Sequence, residues 1–134
     1  MEIEPYFPIA FDLAKRLKPV GAARVISLLI HKNAIISIGY NHYRSHPFQK
    51  RFATNPHAIY WHSEVHAIYL ALKTHSLKQI SKSTLIVCRA RQVNGNWEYG
   101  LSKPCSGCHF CIQTYQIPYV YFSKNGGEIG NDLN

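Results

Sequence analysis

Two short segments, far apart in the chain, carry the most restrictive pattern in this sequence. The first runs from Trp61 to Leu72, where apolar residues recur at helical spacing without an intervening Gly or Pro. It contains His62 and Glu64, which would point in different directions on a finished helix because each residue turns by about 100°. The two side chains can share a pocket only if His62 lies at the N-terminal boundary, where the backbone is not yet helical. The sequence therefore predicts a helix that begins at this histidine.

The second segment is Pro104–Cys108, which contains two cysteines in C-x-x-C spacing. Such a pair can bind one metal ion, and the positive end of a helix dipole favours the thiolates. With His62 as the third ligand, Cys105 and Cys108 leave a tetrahedral zinc ion one open position for water. Glu64 would then be a carboxylate that is not a ligand and can move protons. We expect a catalytic zinc site where the two segments meet.

His-x-Glu followed by Pro-Cys-x-x-Cys is the signature of zinc nucleobase deaminases, and on these motifs the chain resembles the cytidine and deoxycytidylate deaminase superfamily. The resemblance runs from the first predicted helix through the fourth predicted strand and is greatest to compact, phage-type deoxycytidylate deaminases. It implies a three-layer α/β/α domain with a mixed five-stranded central sheet. It also implies a Zn²⁺ cofactor, with His62, Cys105 and Cys108 as metal ligands and Glu64 as the catalytic residue.

The reaction that the resemblance implies is hydrolytic deamination of a cytosine ring to uracil, with release of ammonia. Glu64 would transfer the protons of a water whose pKa zinc lowers. The middle residue of His-x-Glu is usually Ala in the superfamily and lies beside the base; here it is Ser63, a candidate substrate contact. An Asn at the end of the second strand contacts the sugar in the superfamily, and Asn41 occupies that place. The alternative for Asn41 is an ordinary strand-end turn.

Two other kinds of zinc site compete with this interpretation. His66 follows His62 by four residues, as in zinc proteases, but there the Glu directly follows the first His and here it comes one residue later. We interpret His66 as a polar residue that lines or supports the pocket. A structural zinc in a nucleic-acid-binding module would leave the His-x-Glu segment unexplained. Its candidate ligands are Cys105, Cys108, Cys111 and His109.

Length and charge set the class of protein and the class of partner. The chain has 134 residues, 46% apolar and 16% charged, which predicts one globular domain over residues 1–134. It shows no apolar run that could cross a membrane and no secretory signal pattern, so we expect a cytoplasmic protein. The net charge of +8 favours a partner that carries phosphate, either a free nucleotide or a nucleic acid.

Further helices and strands are predicted around the zinc site. Lys32-Asn33 should join the first two strands as an antiparallel hairpin, and Asn94-Gly95 should turn the third strand back toward Cys105. Too few residues follow the fourth strand for a helical crossover, so a fifth strand should be short and antiparallel to it. Lys73–Lys82 is predicted as a polar connection. The other predicted elements are helices over Pro5–Lys18 and Cys105–Gln116, and strands over Ala23–His31, Ala34–Tyr40, Thr84–Val93 and Tyr119–Ser123.

A basic and aromatic segment, His42–Phe52, precedes the zinc segment and shows no clear helix or strand pattern. Long connections of this kind are usually functional in compact domains, and this mixture can stack a base and bind a phosphate. We predict a loop that encloses the substrate, with Arg44, Lys50 and Arg51 as phosphate contacts. The competing interpretation for each of these residues is a charge that only solubilises the surface.

The predicted substrate is a cytosine nucleotide or nucleoside, such as deoxycytidylate or deoxycytidine. Superfamily members that act on tRNA adenosine or polynucleotide cytidine carry further helices after the fourth strand, which disfavours cytosine or adenine in single-stranded DNA or RNA. Deoxycytidylate deaminases often bind a second, structural zinc through upstream Cys and His residues, and this chain has no Cys before Cys88. The remaining alternative is an inactive zinc-containing module that binds nucleic acid. The resemblance also implies a homo-oligomer, and we expect no membrane partner.

Overall fold

The computed structural model describes residues 1–55 and 59–133, which form five helices and eight strands. No helix in these ranges is long and apolar enough to cross a lipid bilayer. The helices are α1 (Tyr6–Lys15), α2 (Pro47–Lys50), α3 (Ser63–Leu72), α4 (Leu77–Ile80) and α5 (Ser106–Thr114). The strands are β1 (Arg24–His31), β2 (Ala34–Tyr40), β3 (His42–Ser45), β4 (Tyr60–Trp61), β5 (Thr84–Val93), β6 (Asn96–Gly100), β7 (Tyr119–Ser123) and β8 (Ile129–Gly130).

One mixed sheet forms the middle of the molecule, with the strand order β2-β1-β5-β7-β8. Among its described strands only β5 and β7 run parallel, and α5 lies in the crossover between them. Strand β8 has two residues and is antiparallel to β7, as predicted for the fifth strand. Strand β6 pairs with the far end of β5 as the returning arm of a hairpin. The predicted mixed central sheet is confirmed, and it has six strands rather than five because β6 also belongs to it.

Helices cover both faces of this sheet, which gives the predicted three-layer α/β/α architecture. Helix α1 buries Phe7 against Leu28 of β1 on one face. Helices α3 and α5 bury Ile68 and Ile112 against Leu85 of β5 on the other face. The strands between the layers are therefore apolar on both sides, which is why β1 appears in the sequence as a run of Val, Ile and Leu that only Ser27 interrupts.

The segment between β2 and α3 contains more regular structure than its sequence predicts. The prediction of no clear element in His42–Phe52 is wrong, because this stretch holds β3 and α2. Strand β3 pairs with β4 through His42 and Trp61 in a separate small sheet. Such short strands show no alternation that a sequence pattern could reveal. Residues 56–58 of this connection, like Asn134, lie outside the described residues.

The stretch Lys73–Lys82 is also more regular than predicted, because it contains the single-turn helix α4. Ser76 accepts a hydrogen bond from the Gln79 backbone N–H at 3.1 Å, and the Gln79 side chain accepts one from the Ser76 backbone N–H at 2.9 Å. This reciprocal pair is a capping box, which stabilises the first turn of a helix. The four-residue helix is too short to show an apolar period in the sequence.

Two glycines allow the helices of the site to lie close to their neighbours. A Cβ atom on Gly39 of β2 would collide with the backbone of Ser63 and Ala67 in α3. A Cβ atom on Gly107 of α5 would collide with the carbonyl oxygen of Phe52. Only a residue without a side chain fits at such contacts, so these two glycines set how deeply α3 and α5 sit.

Candidate metal centre and active site

The N-terminus of α3 brings an imidazole and a carboxylate to one place. His62 is the N-cap residue, with an extended backbone at φ −93° and ψ 146°, and α3 begins at the next residue. This is the boundary that the His62–Glu64 spacing predicts. The His62 backbone N–H donates to the Gln49 side-chain oxygen at 3.0 Å, and Gln49 itself is buried. Helix α2 therefore fixes the start of α3 through Gln49, a role that the sequence pattern did not reveal.

The N-terminus of α5 supplies two thiols. Cys105 is its N-cap residue, and its sulfur accepts a hydrogen bond from the Cys108 backbone N–H at 3.5 Å. Cys108 is buried in the first turn, whereas Cys105 is exposed. Positive helix ends stabilise thiolates, so this position favours metal binding by both sulfurs.

Three donor atoms from these two helix ends form one compact group. The His62 Nδ1 atom lies 3.5 Å from the Cys105 sulfur and 3.3 Å from the Cys108 sulfur. All three donor atoms lie within 4.8 Å of one another, and no other such group of three occurs within residues 1–55 and 59–133. A tetrahedral zinc ion separates its nitrogen and sulfur ligands by roughly 3.6 Å, given bonds of about 2.1 and 2.3 Å. The donor set and its spacing therefore fit Zn²⁺.

The structural-zinc alternative finds no support in this geometry. The metal group contains neither Cys111 nor His109. Cys111 lies fully buried among apolar side chains of the core, where burial raises the pKa of its thiol to about 12. It is therefore a core residue, as its place one turn after Cys108 allows.

The protonation states of the thiols are set by their mutual contacts. Hydrogen bonds from Cys108 and His62 lower the pKa of the Cys105 thiol. The same contact with Cys105, together with burial, raises the pKa of Cys108, so Cys105 is the first thiolate of the pair. The hydrogen bond with Cys105 also raises the pKa of His62. A metal ion that binds all three must displace the protons they hold, so its affinity falls as pH is lowered.

Glu64 stands beside the metal group without belonging to it. Its carboxyl is buried, and burial raises its pKa above the ordinary value. The Ser63 hydroxyl donates to Glu64 Oε1 at 2.8 Å and also shares a 2.8 Å hydrogen bond with the fully buried Ser27 hydroxyl of β1. A buried carboxyl with a raised pKa and a fixed hydrogen-bond partner is suited to taking up and releasing a proton.

A pocket of about 310 Å³ opens onto this centre. Asn41 lies on its wall, where its side-chain oxygen accepts from the Val25 N–H at 2.9 Å and its amide donates to the Ala23 carbonyl at 3.1 Å. The pocket is at the lower end of the size range for small-molecule sites. Its lining residues are Val20, Ala23, Val25, Asn41, Tyr60, Trp61, His62, Ser63, Glu64, Arg89, Leu101, Ser102, Lys103 and Cys105.

The cations of the pocket differ from those that the sequence singled out. Arg44, Lys50 and Arg51 are exposed and are not among its lining residues. The Arg51 guanidinium instead lies over the Phe48 ring, 5.6 Å from the centroid. The lining cations are Arg89 and Lys103, which the sequence analysis missed. A signal was present for Arg89, because it directly follows the apolar run from Leu85 to Cys88 within a predicted strand.

His66 supports the wall of the pocket from behind. It is buried, its Nδ1 accepts from the Tyr40 backbone N–H at 3.1 Å, and its ring lies 4.9 Å from that of Trp61. Burial, followed by the nearby His42, lowers the pKa of His66 to about 4, so the ring is neutral at pH 7. Trp61 lines the pocket and His66 does not, so His66 takes the supporting role. It is absent from the metal group, unlike the second histidine of a zinc protease.

Comparison with known proteins agrees with these observations. The family model described as the cytidine and deoxycytidylate deaminase zinc-binding region matches residues 1–124. Together with the His/Cys/Cys group, this match identifies Zn²⁺ as the cofactor. No curated protein sequence matches the chain.

Two similar solved structures are those of the dCMP deaminase from the cyanophage S-TIM5. Its apo form has a TM-score of 0.63 and 18% identity, and the match covers 90% of this chain and 82% of that one. Its complex with dCMP and dUMP has a TM-score of 0.60 and 20% identity, with coverage of 90% and 79%. At these identities the likeness shows the shared fold.

Proposed function

This chain belongs to the cytidine and deoxycytidylate deaminase family, and we propose that it hydrolytically removes the amino group from the cytosine ring of a nucleotide or nucleoside. The observation that carries this proposal is the position of Glu64. Its buried carboxyl lines the same pocket as His62 and Cys105, at the edge of the zinc-compatible group. A carboxylate in this place has the position needed for proton transfer rather than metal binding.

In this mechanism His62, Cys105 and Cys108 would hold the zinc, and Glu64 would move protons. Zinc bound there lowers the pKa of a water toward neutrality. The Glu64 carboxylate takes a proton from the attacking water and gives it to the ring nitrogen next to the amino-bearing carbon. The carboxylate next takes the proton of the newly added hydroxyl group and delivers it to the amine, so that the carbonyl forms as the C–N bond breaks and ammonia leaves. The raised pKa of Glu64 suits both halves of this cycle, because the group must accept and release a proton near neutral pH.

The remaining pocket residues would orient the substrate. The Asn41 amide is fixed by two hydrogen bonds to the β1 region, which leaves one amide N–H that can donate to a sugar hydroxyl. Tyr60 and Trp61 offer aromatic surface, and Ser63 lies beside the carboxyl that must meet the ring. The cyanophage deaminase with a similar fold was solved with dCMP and dUMP, which supports a deoxycytidylate-type substrate for this chain.

The proposal is tested by measuring uracil products with mass spectrometry. Zinc-loaded protein is incubated with cytidine, deoxycytidine, their monophosphates and a single-stranded oligonucleotide. We expect conversion of at least one free cytosine compound and a loss of at least about 10³-fold in Glu64→Gln, because the amide cannot carry the proton. The variant should still bind one equivalent of zinc, since Glu64 is outside the metal group.

Three outcomes would contradict the proposal. Conversion of the oligonucleotide alone would make a nucleic acid the substrate. No conversion of any compound by a protein that holds zinc would favour a binding module, and unchanged activity in Glu64→Gln would remove the proposed catalytic residue.

A further inference from the structure

Two cations on the pocket wall have no part in the chemistry at the ring. Arg89 and Lys103 both line the pocket that contains Glu64 and the metal group. Proton transfer and metal binding are accounted for by other residues. The cations therefore point to a second feature of the ligand, one that is negatively charged.

The position of Arg89 on β5 is unusual for an arginine. Along this strand Leu85 and Val87 contribute to the core beneath α3 and α5, whereas Cys88 and Ala90 belong to the core beneath α1. Because side chains alternate along a strand, Arg89 points to the helix side, where an apolar residue would continue the core. It lies instead at the point where the core gives way to the pocket.

The aliphatic stem of Arg89 is held in place, and one nitrogen of its guanidinium lacks a hydrogen-bond partner among the described residues. A Cβ atom on Gly100 would lie 3.0 Å from Arg89 Cδ and 3.2 Å from its Cγ, so the stem of the arginine passes over this glycine. Arg89 is half-buried, and its Nε atom is buried without a hydrogen-bond partner among the described residues. A buried donor without an acceptor lowers the stability of the fold. An anion that accepts a hydrogen bond from this nitrogen would remove that cost.

The backbone of Lys103 is fixed relative to Cys105 because both residues lie on one anchored segment. The Ser102 hydroxyl donates to the Val87 carbonyl at 2.9 Å, and its backbone N–H donates to the Ser123 carbonyl at 2.9 Å. Lys103 follows this anchor directly, and Cys105 lies two residues further along. The hydrogen bonds of Ser102 therefore set where the backbone of Lys103 lies relative to Cys105.

We propose that Arg89 and Lys103 form a subsite for the phosphate of the substrate, so that the pocket takes a cytosine nucleoside monophosphate in preference to the nucleoside. This rests on the proposed function, because it assigns the charged part of the same substrate. Arginine binds phosphate through two parallel hydrogen bonds, and lysine adds a second positive charge. A monophosphate ester carries a charge of about −1.5 to −2 at pH 7, whereas a phosphodiester carries a single negative charge. Two cations therefore balance the charge of a monophosphate better than that of a phosphodiester.

The test compares nucleotide and nucleoside in three variants. For wild type, Arg89→Gln, Lys103→Gln and Arg91→Gln, kcat/KM is measured with dCMP and with deoxycytidine. Arg91 is the matched control: it lies on the same strand, ion-pairs with Glu98 at 3.5 Å and does not line the pocket. We expect the dCMP-to-deoxycytidine ratio to fall by about 10- to 100-fold in Arg89→Gln, the size of one lost charge-assisted hydrogen bond. Lys103→Gln should lower it by a smaller factor, and Arg91→Gln should keep it within about twofold.

Binding of the products separates this inference from the proposed activity. Calorimetry with zinc-loaded protein compares dUMP with deoxyuridine, which requires no catalysis, and melting curves confirm that each variant is folded. If dUMP binds more tightly than deoxyuridine and the difference depends on Arg89, the subsite is supported even when no compound is deaminated. The absence of deamination would then refute only the proposed activity. An unchanged dCMP-to-deoxycytidine ratio and unchanged dUMP binding in both Arg89→Gln and Lys103→Gln would refute the subsite.

Discussion

The hydroxyl of Ser63 acts directly on the acid–base properties of Glu64. Its hydrogen bond to Oε1 stabilises the carboxylate and so lowers the pKa of Glu64, against the larger effect of burial. The Ser27 hydroxyl holds Ser63 in turn, so this chain places a buried pair of serines behind its carboxylate. The superfamily that the sequence resembles usually has Ala in place of Ser63, and an alanine there would leave this oxygen without its donor.

We therefore expect Ser63→Ala to shift the pH dependence of catalysis. Loss of the donor raises the pKa of Glu64 further, so the acidic limb of the kcat profile, where the carboxylate becomes protonated, should move to higher pH. Near that limb kcat should fall by about tenfold, as expected for one hydrogen bond to a charged group of about 1.5 kcal/mol. The measurement is kcat against pH with zinc content held equal. Ser27→Ala is the control and should shift the limb less; an unmoved limb in Ser63→Ala would show that the hydroxyl does not act on Glu64.

At the level of single residues, the sequence predicted those positions that follow from the spacing of residues along the chain. His62 had to lie at a helix boundary for its imidazole and the Glu64 carboxyl to meet, and the backbone there is extended. Arg89 and Lys103 escaped prediction because their proximity depends on how the hairpin of β5 and β6 returns to the sheet. Arg44, Lys50 and Arg51 were more conspicuous in the sequence because they lie close together along the chain, although the structure does not bring them into the pocket.

Among the elements, the contact between β2 and α3 controls the position of the metal group. Gly39 meets the backbone of Ser63 and Ala67, and the Ser37 hydroxyl donates to the Ala67 carbonyl at 2.8 Å. Helix α3 is therefore held against the sheet by direct backbone contact, with the His62 end fixed as a consequence.

We expect Gly39→Ala to displace α3 and to weaken both folding and zinc binding. Overpacking of this kind costs about 1–3 kcal/mol, so the melting temperature should fall by several degrees. Zinc affinity, measured by competition with a chromophoric chelator, should fall with it because His62 moves relative to the cysteines. Ile38→Ala is the matched control, since Ile38 directly precedes Gly39 on β2 and is 40% exposed. Wild-type melting and zinc affinity in Gly39→Ala would show that the contact can relax without cost.

The boundaries of long strands were predictable, those of the helices were predicted less accurately, and the shortest strands were not predicted. Strand β2 spans the predicted Ala34–Tyr40, and β5 spans the predicted Thr84–Val93. Helix α1 is shorter than the predicted Pro5–Lys18, since it ends at Lys15. Strands β3 and β4 pair with each other, so their existence depends on a tertiary contact that a local pattern does not encode.

For the whole molecule, zinc would join two helix ends that come from distant parts of the chain. Cys105 is 43 residues from His62, and each lies at the start of a different helix on the same face of the sheet. Because zinc binds the folded arrangement and the unfolded chain far less well, it should stabilise the fold by mass action.

Removal of zinc should therefore lower the stability of the whole domain. At free zinc about a thousandfold above its dissociation constant the contribution is about 4 kcal/mol, so chelation should lower the melting temperature clearly. Cys108→Ala should bind no stoichiometric zinc and melt at the same temperature with and without chelator. Cys111→Ala is the control: it should keep one zinc per chain by elemental analysis, although the lost core side chain lowers its stability. Loss of zinc in Cys111→Ala would restore the structural-zinc alternative.

The distance along the chain between these ligands also fixes the order of events on the ribosome. At about 5–20 residues per second, Cys105 is added about 2 to 9 seconds after His62, a gap of 43 residues. The hairpin of β1 and β2 precedes both and needs no metal to pair. The nascent chain therefore carries His62 and Glu64 for seconds before it contains either cysteine of the metal group, so zinc can be bound only late in synthesis.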